Sequence, residues 1–520
     1  MIPQDNMAVR QQDNAVFLPA LSSFYAFYVG RQRHEKYVED SRLPVTFNNG
    51  VEGLNFLNKD QSYFYYPWCL YSAGHAVLDT NFVAKEDMTR NRDPNSFVLG
   101  DSGGFQIGKG VWEGDWKDPN CPKAHAKRDG VLRWMDAYMD YGMVLDIPAW
   151  VARSPKGAKA TGISTYQEAV VGTRVNNDYW MANRTGRCKF LNVLQGENHT
   201  EADDWYQQMK DYCDPRKYPD RHFNGWAMGG QNMCDIHLVL RRIVSLIRDG
   251  LLESGLHDWM HFLGTSKLEW ALLLTDLQRA VRKHHNPTFT ISYDCASPFL
   301  ANAKGLVYSE NRMVDREKWT YVMEAGVDDK KYATDSRMYG DVARDDGYIP
   351  NFTDSHISKH LKISDVCCYK PGDLNKVGKE GRTSWDSFSY ALQMAHNTWM
   401  HINAVLTANE EYRQGRMPDM LVDDRLHIHY FRDIVDEIVA NAATSRADDL
   451  IEEHNKYWMS IIGQRGYVGK KTINASTQFN NHFEEDDIVG DMIESAIAND
   501  TKKPTKPTAE AQFNALFEIK

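Results

Sequence analysis

The amino-acid sequence predicts an α/β protein of the (β/α)₈ barrel class, with insertions and a helical extension after the barrel. Two observations carry this expectation. Short, nearly continuous apolar runs recur through residues 97–293, and each ends in a glycine or a single polar residue. Between them lie segments whose apolar residues return every three and four positions, the period of a helix with one buried face. Strands that are apolar throughout, alternating with such helices, describe a parallel sheet covered on both faces.

Taken in order, Phe97-Val98-Leu99-Gly100 delivers Asp101, Ser102, Gly103 and Gly104 onto a turn, followed by Phe105 and Gln106. Gly142-Met143-Val144-Leu145 runs into Asp146-Ile147-Pro148, and Phe190-Leu191-Asn192-Val193-Leu194 into Gln195-Gly196. Gly225-Trp226-Ala227-Met228 reaches Gly229-Gly230, and Met260-His261-Phe262-Leu263 reaches Gly264-Thr265-Ser266. Phe289-Thr290-Ile291-Ser292-Tyr293 delivers Asp294-Cys295. Helical spacing is expected over 166–175, 202–212, 236–249 and 269–283. Two further units near 15–19 and 65–72 bring the strands to about eight, the number that closes such a barrel. Active sites of this fold lie at the C-terminal ends of the strands, where the polar residues collect here.

A chain of 520 residues with 42% apolar content can bury one large core with appendages. The expected layout is a barrel core over 1–310, a polar lid-like insertion over 311–383, and a helical part over 384–499 that completes or flanks the barrel. Helices are expected there over 384–408, 425–445 and 448–462, and 500–520 reads as a Pro/Thr/Lys linker and a short tail, expected to be disordered. The first residues show neither a basic nor an apolar leader segment, and no apolar run is long enough to span a membrane. Eight scattered cysteines without such a leader suggest a reduced, cytoplasmic protein. The net charge of −11 excludes a protein coated in basic residues, though a local stripe could still bind phosphates. Candidate stripes are 123–133, 279–285 and 370–382, each with the alternative of a solvated helix face.

Six of these segments, in this order, resemble the motifs of the queuine/guanine tRNA-ribosyltransferase superfamily, the base-exchanging transglycosylases. The family's Asp-Ser-Gly-Gly-Phe/Tyr-Gln is matched at 101–106, and its strand-end Asp before Ile-Pro at Asp146. Its Val-Gln-Gly resembles Val193-Leu194-Gln195-Gly196, and its double-glycine strand end resembles 225–230. Phe262-Leu263-Gly264 is similar to its Leu-Met-Gly, and Tyr293-Asp294-Cys295 to the Phe-Asp-Cys that carries its nucleophile. The resemblance covers residues 90–300, with a weaker echo at Met394-Ala395-His396-Asn397.

Base exchange at C1′ passes through an oxocarbenium-like centre, and a carboxylate that traps it divides one hard displacement into two easier ones. A second acid must protonate the departing purine and then accept a proton from the incoming base. The resemblance implies Asp294 as nucleophile and Asp101 as acid/base. It implies Asp146 as acceptor for the N1–H and amino group of a guanine-like base. Gln195 and the Gly229 and Gly230 amides would read the O6 edge, Phe105 and Leu263 would stack, and Ser102 and Gly103 would line the substrate site. An Asp after a strand is also a common helix cap, and residues such as Phe105 and Leu263 are more often plain core.

The departures from the family bear on substrate. Its zinc cluster, Cys-x-Cys-x-x-Cys with a distant His, is missing, and Cys367, Cys368 and His396 are the only remnants, so zinc is expected to be lost or remodelled and no metal ligand is assigned. The loop Gln231-Asn232-Met233-Cys234-Asp235 replaces a more apolar one, and 311–364 has no counterpart. These departures resemble the divergent, often phage-encoded branch that exchanges guanine in DNA for a 7-deazaguanine such as 7-cyano-7-deazaguanine. The expected partners are therefore DNA, with tRNA as the alternative, and a free 7-deazaguanine base, with no organic cofactor and no membrane. A homodimer stays open. If phage-encoded, the protein would work in the host cytoplasm. Two other readings remain: a hydrolytic nucleosidase or glycosidase, and a silent partner subunit, the latter disfavoured by the presence of both Asp101 and Asp294.

Overall fold

Chain segments that are apolar on both faces must be covered on both, and a ring of parallel strands jacketed by helices achieves this. The computed structural model describes residues 2–31, 38–81, 87–303, 305–326, 330–342, 355–367, 385–423 and 428–462. Its barrel strands are β1 (Val16–Pro19), β2 (Trp68–Ser72), β3 (Phe97–Asp101), β4 (Tyr141–Met143), β5 (Lys189–Leu194), β6 (Gly225–Met228), β7 (Trp259–Phe262) and β8 (Thr290–Cys295). They pair in parallel around the ring in the order β1-β8-β7-β6-β5-β4-β3-β2. A bridge between Ala20 and Leu70, with the Leu21 N–H donating to the Leu70 carbonyl at 3.0 Å, brings the two edge strands together. The unit expected near 65–72 divides: only Trp68–Ser72 enters the barrel, while Phe64–Tyr65 pairs with Asp5–Asn6.

The helices between the strands are α1 (Ser23–Arg31), α2 (Gly104–Gly108), α3 (Pro122–Tyr138), α4 (Pro155–Thr161), α5 (Tyr166–Asn183), α6 (His199–Met209), α7 (Ile236–Asp249) and α8 (Leu268–His284). Side chains cap the starts of α4, α5, α6 and α7, with Ser154 serving α4. Thr165 and Glu168 form a capping box on α5, and the Asn198 and Asp235 side chains cap α6 and α7. Among the described residues the β2–β3 connection holds a single 3₁₀ turn, Met88–Asn91, in place of a helix.

After β8 come α9 (Ser297–Ala303), the antiparallel hairpin β9 (Leu306–Arg312) and β10 (Thr320–Ala325), α10 (Ile363–Val366) and α11 (Ser387–Arg413). Helix α11 packs against α8, α9 and β1, the position of an eighth barrel helix. It is tied there by Thr275 Oγ1 donating to Asn409 Oδ1 at 3.0 Å and by the Arg10–Glu410 ion pair at 2.8 Å. α12 (Phe431–Ala440), α13 (Ser445–Glu453) and α14 (Asn455–Ile462) then pack outside α7 and α8. The helix expected over 425–445 is the shorter α12, because the chain turns at 441–444.

The region expected to be an aperiodic lid begins instead with a hairpin whose aromatic residues are buried (Tyr308) or half-buried (Tyr321). Tyr308 and Tyr321 stack on each other and reach His401 of α11 through their hydroxyls, at 3.3 and 2.9 Å. The polar composition concealed this, because a few aromatic residues anchor the whole hairpin. Cys368, the basic stretch 370–382 and the tail 500–520 lie outside the described residues. No helix among the described residues is long and apolar enough to cross a membrane.

Candidate active site

Six consecutive strands, β3 to β8, carry expected site residues to one end of the barrel. Asp101 closes β3, Asp146 follows β4, Gln195 follows β5, Gly229 follows β6, Leu263 follows β7, and Asp294 is the penultimate residue of β8. The three carboxylates sense one another: Asp294 adds to the rise in the Asp101 carboxyl, and Asp101 to that of Asp146.

Each carboxylate has its own surroundings. Asp101 Oδ2 accepts from Ser72 Oγ, its register neighbour on β2, at 2.6 Å, and the Gly103 amide also donates to it. Loss of hydration nevertheless raises the Asp101 carboxyl above the ordinary carboxylate range, and the Asp294 charge pushes the same way. Asp146 is 6% exposed, and burial pushes it to about 7 although Gln195 Nε2 donates to its Oδ2 at 2.7 Å. Gly104 makes room for it. A Cβ there would lie 2.7 Å from the Asp146 carbonyl oxygen and 3.0 Å from Oδ1, so only glycine permits this approach.

Asp294 is held differently. Its Oδ1 accepts the Gly264 N–H at 2.9 Å and faces His261 Nε2 at 3.1 Å, while Oδ2 has no hydrogen bond among the described residues. Trp259 Nε1 donates to Ser292 Oγ at 2.7 Å, leaving that hydroxyl's hydrogen for His261 Nδ1 at 2.9 Å. This network puts the imidazole proton on Nε2, facing Asp294. The sequence reading missed His261 and Ser292. The signal was present: His261 shares a strand face with Leu263, and Ser292 with Asp294, by the two-residue alternation of β7 and β8.

Several expected contacts are spent elsewhere. The Gly229 N–H donates to the Leu194 carbonyl at 2.8 Å, inside the β5–β6 ladder, so it is not available to read a base edge. Ser102 is 1% exposed and its Oγ donates to the Val144 carbonyl at 3.1 Å, which fixes the β3 turn against the strand end of β4. Gly230 sits at φ +53°, and a Cβ there would meet the Gly196 oxygen at 2.4 Å, so its place in the turn requires glycine. Phe105 and Leu263 are half-buried, as walls of a pocket would be, and Phe105 packs against Trp150 with the rings tilted by 55° and their centres 5.9 Å apart.

The two described basic stretches do not form phosphate stripes. In 123–133, Lys123 pairs with Glu113 and Arg133 with Asp129, while Arg128 is fully buried with Nε donating to Asn176 Oδ1 at 2.6 Å. Lys127 lies over the Trp112 ring at 5.1 Å. In 279–285, Arg279 donates to Asn14, Arg282 donates to the Phe289 carbonyl, and Lys283 and His284 both pair with Asp436 of α12. Arg128 thereby joins α3 to α5, and Lys283 and His284 join α8 to α12. The exposed Lys156 and Lys159 of α4, on the rim beside the Asp146 loop, carry no ion pair among the described residues.

Of the remnants of a family-type zinc cluster, the structure describes His396 and Cys367. His396 is buried in α11 with Nε2 on the Tyr308 carbonyl at 2.7 Å, and burial lowers it to about 4. Among the described residues neither His396 nor Cys367 belongs to a group of three metal-ligating side chains. Scanned against models of known families the chain finds no match, and a search of curated proteins finds none.

Proposed function

We propose that this protein is a base-exchanging transglycosylase that replaces guanine in DNA with a free 7-deazaguanine base. The observation that carries the reading is the unlike setting of two carboxylates at one barrel mouth. Asp101 is raised and so inclined to hold a proton, whereas Asp294 receives two N–H donors on one oxygen and offers the other. That is the division of labour a two-step displacement needs.

In the first step Asp294 Oδ2 forms a bond to C1′ as the C1′–N9 bond breaks, and Asp101 gives its proton to the departing guanine. In the second, Asp101 accepts the N9 proton of the incoming base, N9 bonds to C1′, and the Asp294 ester opens. Asp146 and Gln195 face the base edge. A target guanine in a duplex must first leave the stack, and on this reading the exposed Lys156 and Lys159 would contact the flanking phosphates.

The test is incubation with labelled 7-cyano-7-deazaguanine and either DNA or tRNA, followed by nucleoside analysis. Modified deoxyguanosine in DNA is the expected result. Label in tRNA alone refutes the DNA assignment but keeps the exchange chemistry. Release of guanine without uptake of label makes the protein a hydrolase. Charge reversal of Lys156 and Lys159 should weaken DNA binding alike for all sequences and flatten its salt dependence.

A further inference from the structure

A second cluster lies on the same end of the barrel, between the β5 and β6 loops, and none of its members takes part in the carboxylate chemistry. His199 opens α6, Asp235 caps α7, and His237 occupies the first turn of α7. The ligand atoms these three offer lie within 4.8 Å of one another, the one such group among the described residues. His199 Nε2 is 2.7 Å from Asp235 Oδ2, and the two imidazole rings stack with centres 5.4 Å apart.

The burial and hydrogen bonding of these side chains match a ligand set. Asp235 is 1% exposed and is fixed from behind by the Leu238 N–H on Oδ1 at 3.1 Å and by Gln231 Nε2 on Oδ2 at 3.1 Å. His237 is 7% exposed; its Nε2 faces Glu452 Oε1 at 3.0 Å, while its Nδ1 is buried with no hydrogen-bond partner. A buried ring nitrogen without a partner is unfavourable, and a bound cation would satisfy it. Glu452 behind His237 repeats the carboxylate–histidine pairing that orients metal-bound imidazoles.

We propose that His199, Asp235 and His237 bind a divalent transition-metal ion of the zinc class, with Glu452 orienting His237. Two imidazole nitrogens and one carboxylate oxygen are a donor set that zinc accepts, with a fourth position left for water. Tetrahedral bonds of ~2.0–2.1 Å hold donor atoms about 3.4 Å apart, so a small rotation of the half-exposed His199 ring completes the set. The ion would brace the wall of the barrel mouth. Gln231, which holds Asp235, also donates its backbone N–H to the Gly196 carbonyl at 2.7 Å. The site does not depend on the exchange reaction.

The experiment uses the full chain, stripped with a chelator and titrated with Zn²⁺ by calorimetry and with Co²⁺ by absorption. One tight ion per chain is expected, with a visible Co²⁺ ligand-field band and no near-ultraviolet thiolate band. Glu452→Gln should weaken binding about 10–100-fold, and His199→Gln or His237→Gln by more. The half-exposed His199→Gln variant guards against misfolding: it should unfold at the wild-type temperature without metal and lose the stabilisation that zinc confers. Equal zinc affinity in wild type and His199→Gln overturns the proposal. So does a thiolate band that disappears in Cys367→Ser, since the ion then sits elsewhere.

Discussion

Replacing Asp146 with asparagine tests the site through pH. Burial, with the Asp101 charge assisting, lifts the Asp146 carboxyl from the ordinary 3.8 to about 7, against the pull of the Gln195 hydrogen bond. A carboxyl whose folded pKa lies above its unfolded value favours the fold while protonated. Its contribution is complete below pH 3.8 and is lost as pH rises through about 7. The separation of roughly three units corresponds, at 1.36 kcal/mol each, to about 4 kcal/mol of destabilisation developed between pH 4 and pH 8. Asparagine does not ionise and escapes this cost. In thermal unfolding of the unliganded protein, Asp146→Asn should therefore exceed the wild type at pH 8, with the difference shrinking steadily toward pH 5. Other titrating groups occur in both proteins and cancel in that difference. Base binding supplies the opposite arm. Donors from the N1–H and amino group favour the ionised carboxylate, so wild-type affinity for free base should rise about tenfold per pH unit from 5 to 7 and then level. Asp146→Asn should lose that slope and weaken binding at pH 8 by roughly 1–3 kcal/mol. A pH-independent stability difference, or a flat affinity profile in the wild type, would refute both the raised carboxyl and its role at the base edge.

Asp294→Asn should abolish both exchange and the denaturant-resistant protein–nucleic acid adduct, whereas Asp101→Asn should slow turnover roughly 10²–10⁴-fold; near wild-type exchange by Asp294→Asn removes it as nucleophile. His261→Ala takes an N–H from the Asp294 carboxylate and should lower kcat roughly 10–100-fold with little change in KM, with partial recovery in His261→Gln. An effect confined to KM would make His261 a base-binding residue instead. Gly104→Ala drives a Cβ into the Asp146 backbone oxygen and should cost about 1–3 kcal/mol of stability and raise KM for the free base. Unchanged melting and KM would show that the β3 turn and the Asp146 loop do not abut.

Much of the fold was legible in residue order. Strands β3 to β8 could be read because each is mostly apolar and runs into glycine or a lone polar side chain, a pattern set by burial on two faces. The same punctuation placed Asp101, Asp146, Gln195 and Asp294 at one end of the barrel. The closing helix was harder. Helix α11 arrives after the β9–β10 hairpin, and nothing local in its sequence says which groove it fills. Arg128 shows the same limit. In the chain it belongs to a basic run, yet in the fold it is a buried link to Asn176, 48 residues away. His261 read as one residue of an apolar strand until β8 placed Ser292 and Asp294 on either side of its ring.

Residue order alone determined which segments are strands, which residues end them, and that acidic groups gather at one mouth, because periodicity and turn chemistry act over a few neighbouring residues. Tertiary structure alone decided that burial raises the Asp101 and Asp146 carboxyls, which amides are already spent, and which cations are paired. Those properties depend on desolvation and on partners brought within hydrogen-bond distance from other strands, and the spacing of residues along the chain does not encode them.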